Sequence, residues 1–213
     1  MPSLLIAGAT GLVGRECLAL ALADSAFDRV VVLARRPREG PADPKLDWRV
    51  ADFAHLDAQR SAFAVDAIIC ALGTTIKVAG SRERFREVDH DYPLALARLG
   101  AAAGATHFLL VSALGADAGS RIFYNRVKCE TERDILALEY PDVTIARPSL
   151  LVGERAEPRL GEQIGQILGL AVPGKYRPIR ARVVARALVD AARTSGDGRR
   201  VLDSAEMRRR FAE

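Results

Sequence analysis

The stretch Leu4-Leu5-Ile6-Ala7-Gly8-Ala9-Thr10-Gly11-Leu12-Val13-Gly14 decides the fold. Four apolar residues read as a buried strand. They run into glycines at every third position and then into an Ala/Leu-rich helical pattern over residues 12–23. A glycine turn between a strand and a helix N-terminus leaves backbone N–H groups free at the positive end of the helix dipole, which suits a pyrophosphate. Gly8 is expected to make the tight turn, Gly11 to admit phosphates close to the backbone, and Gly14 to let the helix pack on the sheet. A strand-to-helix turn without a ligand is the plainer reading. Strand before, helix after and the N-terminal position favour a dinucleotide site.

Composition narrows the class. A chain of 213 residues, 49% hydrophobic and 27% charged, reads as one globular domain over 1–213 with a real core. No apolar run approaches the ~20 residues of a bilayer-spanning helix. The N-terminal apolar run is too short for a signal peptide, lacks a basic flank and is needed by the glycine turn. Cys17, Cys70 and Cys129 have no metal or redox spacing and read as buried free thiols, which points to a reducing, cytoplasmic setting. The net charge of +4 invites a nucleic-acid reading. Against it, the arginines are scattered, Arg208-Arg209-Arg210 reads as a solvated helix end, and aromatics make up only 6%. Neither a nucleic acid nor a membrane is therefore expected as partner.

The rest of the chain repeats the first unit. Apolar strands are expected at Arg29–Ala34, Trp48–Ala51, Asp66–Ala71, His107–Val111 and Val143–Ala146, with helices at 84–103 and 121–139 and loops at 37–44 and 171–178. Continuous apolar strands separated by helices imply an α/β fold, a doubly wound parallel sheet, with residues 150–213 adding a small substrate-pocket region. Trp48 is expected to pack at a strand start.

In such a sheet ligands gather beyond the carboxyl ends of the strands. At the end of the second strand, where an NAD site usually has an acid, stand Arg35 and Arg36. Guanidinium groups there suit a 2′-phosphate, so NADP(H) is preferred over NAD(H). Tyr124 and Lys128 lie four apart and share a helix face. An ammonium beside a phenol stabilises the phenolate, pulling such a group below its ordinary ~10 and suiting it to proton transfer. Ser112, at the end of the fifth strand, is placed to hydrogen-bond the same substrate oxygen.

These residues resemble the short-chain dehydrogenase/reductase superfamily in its extended and atypical forms: Gly8/Gly11/Gly14, Asp52, Ala71-Leu72-Gly73, Ser112, Tyr124/Lys128 and Arg147-Pro148 carry the likeness. More narrowly, Leu72-Gly73-Thr74-Thr75, Val88-Asp89-His90-Asp91-Tyr92 and Ser112-Ala113-Leu114-Gly115-Ala116-Asp117 are similar to the Tat-interacting protein subgroup of NADPH-binding, oxidoreductase-like proteins. The resemblance implies that Gly8, Thr10, Gly11, Leu12 and Val13 surround the pyrophosphate, and that Arg35 and Arg36 meet the adenosine phosphate. It puts Asp52 and Phe53 beside the adenine, Ala71, Leu72 and Gly73 beside the ribose, and Pro148 at the nicotinamide. Tyr124 becomes the acid/base, Lys128 the ribose ligand and phenolate stabiliser, and Ser112 the substrate-orienting hydroxyl. Where many extended members carry a relay asparagine, this chain has Glu87.

The remaining candidates point less sharply. His55, His90 and His107 are isolated in sequence, and no metal is assigned. His90 reaches the mouth of the site through its motif. Arg155, Arg159, Lys175 and Arg177 fall in the substrate-pocket region, where a solvated rim is the simpler reading of each. The leading function is an NADP(H)-dependent oxidoreductase acting on a small carbonyl or alcohol. The alternatives are an NADPH-binding regulator with a protein partner and no steady turnover, and an epimerase or dehydratase that uses the cofactor transiently. The oligomeric state is open, with a homodimer among the options.

Overall fold

The computed structural model describes residues 2–38, 40–153, 176–194, 196 and 198–212. Seven strands form one parallel sheet: β1 (Ser3–Ala7), β2 (Arg29–Ala34), β3 (Leu46–Val50), β4 (Ala67–Cys70), β5 (His107–Val111), β6 (Asp142–Arg147) and β9 (Arg199–Asp203). Their order is β3-β2-β1-β4-β5-β6-β9. A short parallel pair, β7 (Leu151–Val152) and β8 (Ile179–Arg180), lies apart from it.

The sheet is covered on both faces, because alternate side chains of the central strands enter different cores. Leu4, Ile6, Val30, Val32 and Ile69 pack with α1 (Leu12–Ala23) and α6 (Ala181–Ala192). Leu5, Val31, Leu33, Ile68 and Phe108 face α4 (Tyr92–Ala102), Ile135 of α5 (Phe123–Leu136) and the 3₁₀ turn Leu56–Phe63. Leu5 stands opposite Val31 on one side and Ile68 on the other, all fully buried. Each such side chain stabilises the fold by about 1.5–3 kcal/mol over its exposed state.

After the single turn of α2 (Ile76–Ala79), the helix expected over 84–103 is three pieces: α3 (Arg82–Arg86), a π-helical turn (Glu87–Asp91) and α4. The last strand, β9, has no counterpart among the expected strands. It is an edge strand of sequence Arg-Arg-Val-Leu-Asp, followed by α7 (Ser204–Phe211), and only Leu202 in it is buried. Both oxygens of buried Asp142 anchor its approach, accepting the Gly196 N–H at 2.8 Å and the Gly198 N–H at 2.6 Å. Arg155, Arg159, Lys175 and most of the loop at 171–178 lie outside the described residues.

Since β2 and β3 extend from one side of β1 and β4 to β6 from the other, the winding of the chain across the sheet reverses, with its switch point between β1 and β4. A crevice opens beyond their carboxyl ends, where ligands of such sheets bind.

Candidate functional site

The glycine turn is built as its spacing requires. Gly8 has φ +91°, and a Cβ there would stand 2.6 Å from the Ala71 carbonyl oxygen, so only glycine lets the ends of β1 and β4 approach. A Cβ on Gly14 would lie 2.1 Å from the Gly8 carbonyl oxygen, so α1 sits directly on the turn. The Gly11 N–H donates to that same oxygen at 2.9 Å. Gly11 is also the N-cap of α1, with no capping side chain and no acid in the first turn. First-turn N–H groups therefore face the crevice with the positive end of a 12-residue helix behind them.

Around this turn is a cleft of about 330 Å³ lined by Gly8 to Gly11, Leu33 to Arg35, Phe53, Ala71 to Thr74, Val78, Ala79, Arg84, Val88 and Tyr92. An uncapped helix N-terminus, a turn with no room for side chains, the exposed Arg35 and the paired rings of Phe53 and Tyr92 (centroids 5.8 Å apart) fit the diphosphate and the adenine of a dinucleotide. Arg36 and Asp52 do not line the cleft. The Arg36 carbonyl accepts the half-buried Trp48 Nε1–H at 3.0 Å. The Asp52 carboxylate accepts the Ala54 N–H and meets His55 Nδ1 at 2.9 Å. Arg84, which sequence reasoning missed, does line it; its guanidinium pairs with Glu87 and donates to the Tyr92 hydroxyl at 3.0 Å.

Neither Tyr124 nor Lys128 of α5 lines the cleft, but Lys128 Nζ approaches its wall at Gly73, where a Cβ would stand 3.9 Å from it. Phe85, fully buried, packs on the Tyr124 ring at 5.5 Å between centroids, and Lys128 Nζ lies 5.9 Å from the centre of that ring. Lys128 is itself buried and forms an ion pair with Asp89 Oδ1 at 2.8 Å. Burial, the largest influence, works against the ammonium. Asp89, then Tyr124 and Cys70, outweigh it and hold Lys128 above its ordinary range. Burial also pushes the Cys70 thiol up to about 12.

Asp89 is the acid that helical spacing misses. The resemblance puts Glu87 at the place of a relay asparagine, but Glu87 opens a π turn whose spacing departs from that of an α-helix. Glu87 instead accepts the Tyr92 hydroxyl at 2.6 Å and pairs with Arg84, while Asp89 faces Lys128 and accepts the Thr74 N–H at 2.8 Å.

Ser112 is buried at the end of β5, and its hydroxyl donates to Glu132 of α5. Glu132 is buried too and is gripped by Arg147 at the end of β6, whose Nε lies 3.0 and 3.1 Å from its two oxygens. This three-membered network ties together the elements that carry Ser112, Tyr124 and Pro148. In this arrangement the Ser112 proton is engaged by Glu132. His90 meets two acids, its neighbour Asp91, 2.6 Å from Nδ1, and Asp134, brought by the fold to 2.9 Å from Nε2. His90, Glu130 and Asp134 bring potential ligand atoms within 4.8 Å of one another, but Arg86 and Arg133 already occupy the two carboxylates. His107 is buried against the Thr144 hydroxyl at 2.9 Å, and His55 is exposed.

Comparison with known proteins points the same way. Residues 8–195 match the family described as NAD(P)H-binding. The mitochondrial protein FMP52 of Debaryomyces hansenii is 34% identical over 207 residues, covering 92% of this chain and 91% of that protein. Protein HTATIP2 of Rattus norvegicus is 33% identical over 202 residues, covering 92% and 83%. Among solved structures, MoeE5 in complex with UDP-glucose and NAD superposes with a TM-score of 0.74 at 17% identity, covering 94% of this chain and 75% of that one. UDP-N-acetylglucosamine 4-epimerase from Bacillus cereus gives 0.71 at 14%, covering 97% and 79%. These distant structures share the seven-stranded Rossmann-like architecture. Among the described residues no helix is long and apolar enough to cross a membrane. With its glycine turn, its strand order and its match to HTATIP2, the chain belongs to the NAD(P)H-binding family, as an atypical short-chain dehydrogenase/reductase of the HTATIP2 subgroup.

Proposed function

We propose that the protein is an NADP(H)-dependent oxidoreductase acting on a small carbonyl or alcohol, with Tyr124 as acid/base. The observation that carries this reading is the position of Lys128 Nζ. It lies 5.9 Å from the Tyr124 ring centre, and it is close enough to the cleft wall that a Cβ on Gly73 would stand 3.9 Å from it. One lysine is therefore within reach of both a bound ribose and the tyrosine. The cofactor, when bound, supplies or accepts the hydride.

The chain's own groups do the rest. The N–H groups of Leu12 and Val13, with Gly8, Thr10 and Gly11, hold the diphosphate. Arg35 binds a 2′-phosphate, with Arg36 adjoining it outside the cleft wall; Phe53 flanks the adenine, with Asp52 next to it in sequence outside that wall, and Ala71, Leu72 and Gly73 flank the ribose. Lys128 donates to the ribose, Pro148 borders the nicotinamide, and the Tyr124 hydroxyl gives its proton to the substrate oxygen or takes one from it. Ser112 orients a substrate that draws its hydroxyl away from Glu132. Residues 150–213 complete the substrate pocket within a single domain. Free thiols suit a reducing compartment, and we place the protein in the cytoplasm, with the mitochondrion, from the names of the FMP52 relatives, as the alternative.

Tyr124→Phe tests the proposal. NADPH binding is retained, and NADPH oxidation with a panel of small aldehydes and ketones, followed by the loss of nicotinamide absorbance, falls by ~10²-fold or more. Unchanged turnover removes Tyr124 from the chemistry. The bond from Ser112 to Glu132 favours a second reading, an NADPH-binding regulator without steady turnover, and tight NADPH binding with no active carbonyl would select it.

A further inference from the structure

We propose that Asp89 is a positioning residue of this site: it keeps Lys128 an ammonium inside the protein and locks the wall of the cleft against it. The inference rests on the reading of Lys128 as the group that serves the cleft and Tyr124, and it concerns what makes that possible in a buried setting.

A lysine with 5% of its surface exposed loses its charge unless a partner compensates it. The groups facing Lys128 are Asp89 from the π turn, Tyr124 from its own helix and Cys70 from β4. Among these Asp89 alone is a carboxylate, it is 1% exposed, and its Oδ1 is 2.8 Å from Nζ. Its second oxygen accepts the Thr74 N–H at 2.8 Å, so one side chain spans from the lysine to the loop that follows β4. Gly73 lies between them, where a Cβ would be 3.4 Å from Asp89 Oδ1 and 3.9 Å from Lys128 Nζ.

The turn that carries Asp89 is fastened to α5 at two points. The Thr131 hydroxyl of α5 donates to the Asp89 carbonyl at 2.9 Å, and the adjacent His90 reaches Asp134 on the same helix. The π turn thus places the carboxylate and fixes it, and it breaks the α-helical spacing to do so.

The pairing also changes what Tyr124 experiences. Even directly behind the ammonium, the carboxylate would stand only about 8.7 Å from the tyrosine ring centre and would cancel roughly two-thirds of the cation's potential there. Lys128 therefore presents the tyrosine with a compensated pair and not a bare charge. Among the described residues Asp89 is the one ion-pair partner of Lys128 Nζ, and the remaining N–H donors of that ammonium are left for a ligand.

The test reads Lys128 and not turnover. The chain has four lysines, Lys45, Lys77, Lys128 and Lys175, so labelling lysine at ¹³Cε gives four signals, with Lys128→Met identifying the relevant one. In Asp89→Asn the Lys128 midpoint is expected to fall by at least about one pH unit relative to the parent, and Asp89→Glu is expected to restore it in large part. A folded Asp89→Asn protein whose Lys128 titrates like the parent overturns the inference. If Asp89→Asn does not fold, adding Lys128→Met is expected to recover folding, because the uncompensated charge is gone; failure of the double variant to recover overturns it equally. Either result stands apart from the Tyr124→Phe experiment, which addresses the chemistry alone.

Discussion

Gly14→Ala strains the cleft at its tightest contact. The new Cβ would lie 2.1 Å from the Gly8 carbonyl oxygen, 2.6 Å from its carbon and 3.0 Å from the Ala9 Cα. All three are backbone atoms, so no side chain can swing aside. Restoring a 3.4 Å contact requires the turn and α1 to part by about 1.3 Å. Alanine in place of glycine within a helix gains up to ~1 kcal/mol, whereas overpacking costs about 1–3 kcal/mol or more. A contact this short, against atoms that cannot yield, belongs at the upper end. The net expectation is a loss of about 2 kcal/mol, or roughly 4–8 °C in Tm for a chain of this size. NADPH binding, followed by fluorescence, weakens together with it, since the same movement splays the N–H groups. Gly104→Ala is the control: φ is +88° but nothing lies within 4 Å, so it costs only the ~1–2 kcal/mol of left-handed backbone and leaves binding intact. A Gly14→Ala protein that melts and binds NADPH like the parent refutes the described packing of helix on turn.

Three further outcomes are expected from the same structure. Glu132→Gln keeps the shape but leaves Arg147 uncompensated and is expected to cost about 2–3 kcal/mol in urea denaturation, below the ~3–5 of a fully buried pair because the Arg147 side chain is one-third exposed; a change under about 0.5 kcal/mol contradicts this. Of the three thiols, Cys17 and Cys70 are fully buried and Cys129 is half-buried, so an aromatic disulfide reagent should label one thiol rapidly and the other two only on unfolding. Arg49 holds Asp47, Ser3 holds Asp66, Arg86 holds Glu130 and His90 holds Asp134 below the ordinary carboxylate range. Their folded values lie below their unfolded ones, so their stabilisation is present above about pH 4 and is lost as the pH falls through the folded values; a Tm that rises on acidification from about pH 5 to about pH 3 would be the wrong sign.

What the sequence makes legible is local, and what it hides is brought together by the fold. Continuous apolar runs such as Arg29–Ala34 and His107–Val111 match their strands to the residue, because a doubly covered parallel sheet has no other composition available. The strand β9 is hidden because an edge strand needs few buried side chains, and Arg-Arg-Val-Leu-Asp offers one. Asp89 lies within a recognisable motif, yet its role depends on a π turn that no spacing rule anticipates. Arg84 carries no sequence signal for the cleft; it arrives there on α3, which follows α2 and the loop after β4. Ser112 is legible at the end of β5, while its partner Glu132, 20 residues on, is set by the packing of α5. Asp134, which meets His90 across 44 residues, is brought by α5 in the same way.

We propose that the cleft beyond β1 and β4 holds a phosphorylated dinucleotide, and titration of the purified protein with NADPH and with NADH decides it. A charge-assisted contact from Arg35 to the 2′-phosphate is worth ~1.5–3 kcal/mol, so NADPH is expected to bind at least about tenfold more tightly, with one site per chain, and replacing Arg35 and Arg36 together by alanine is expected to erase the difference. Equal affinity for the two nucleotides overturns the assignment of Arg35 to a 2′-phosphate, and the absence of saturable binding of either overturns the dinucleotide site.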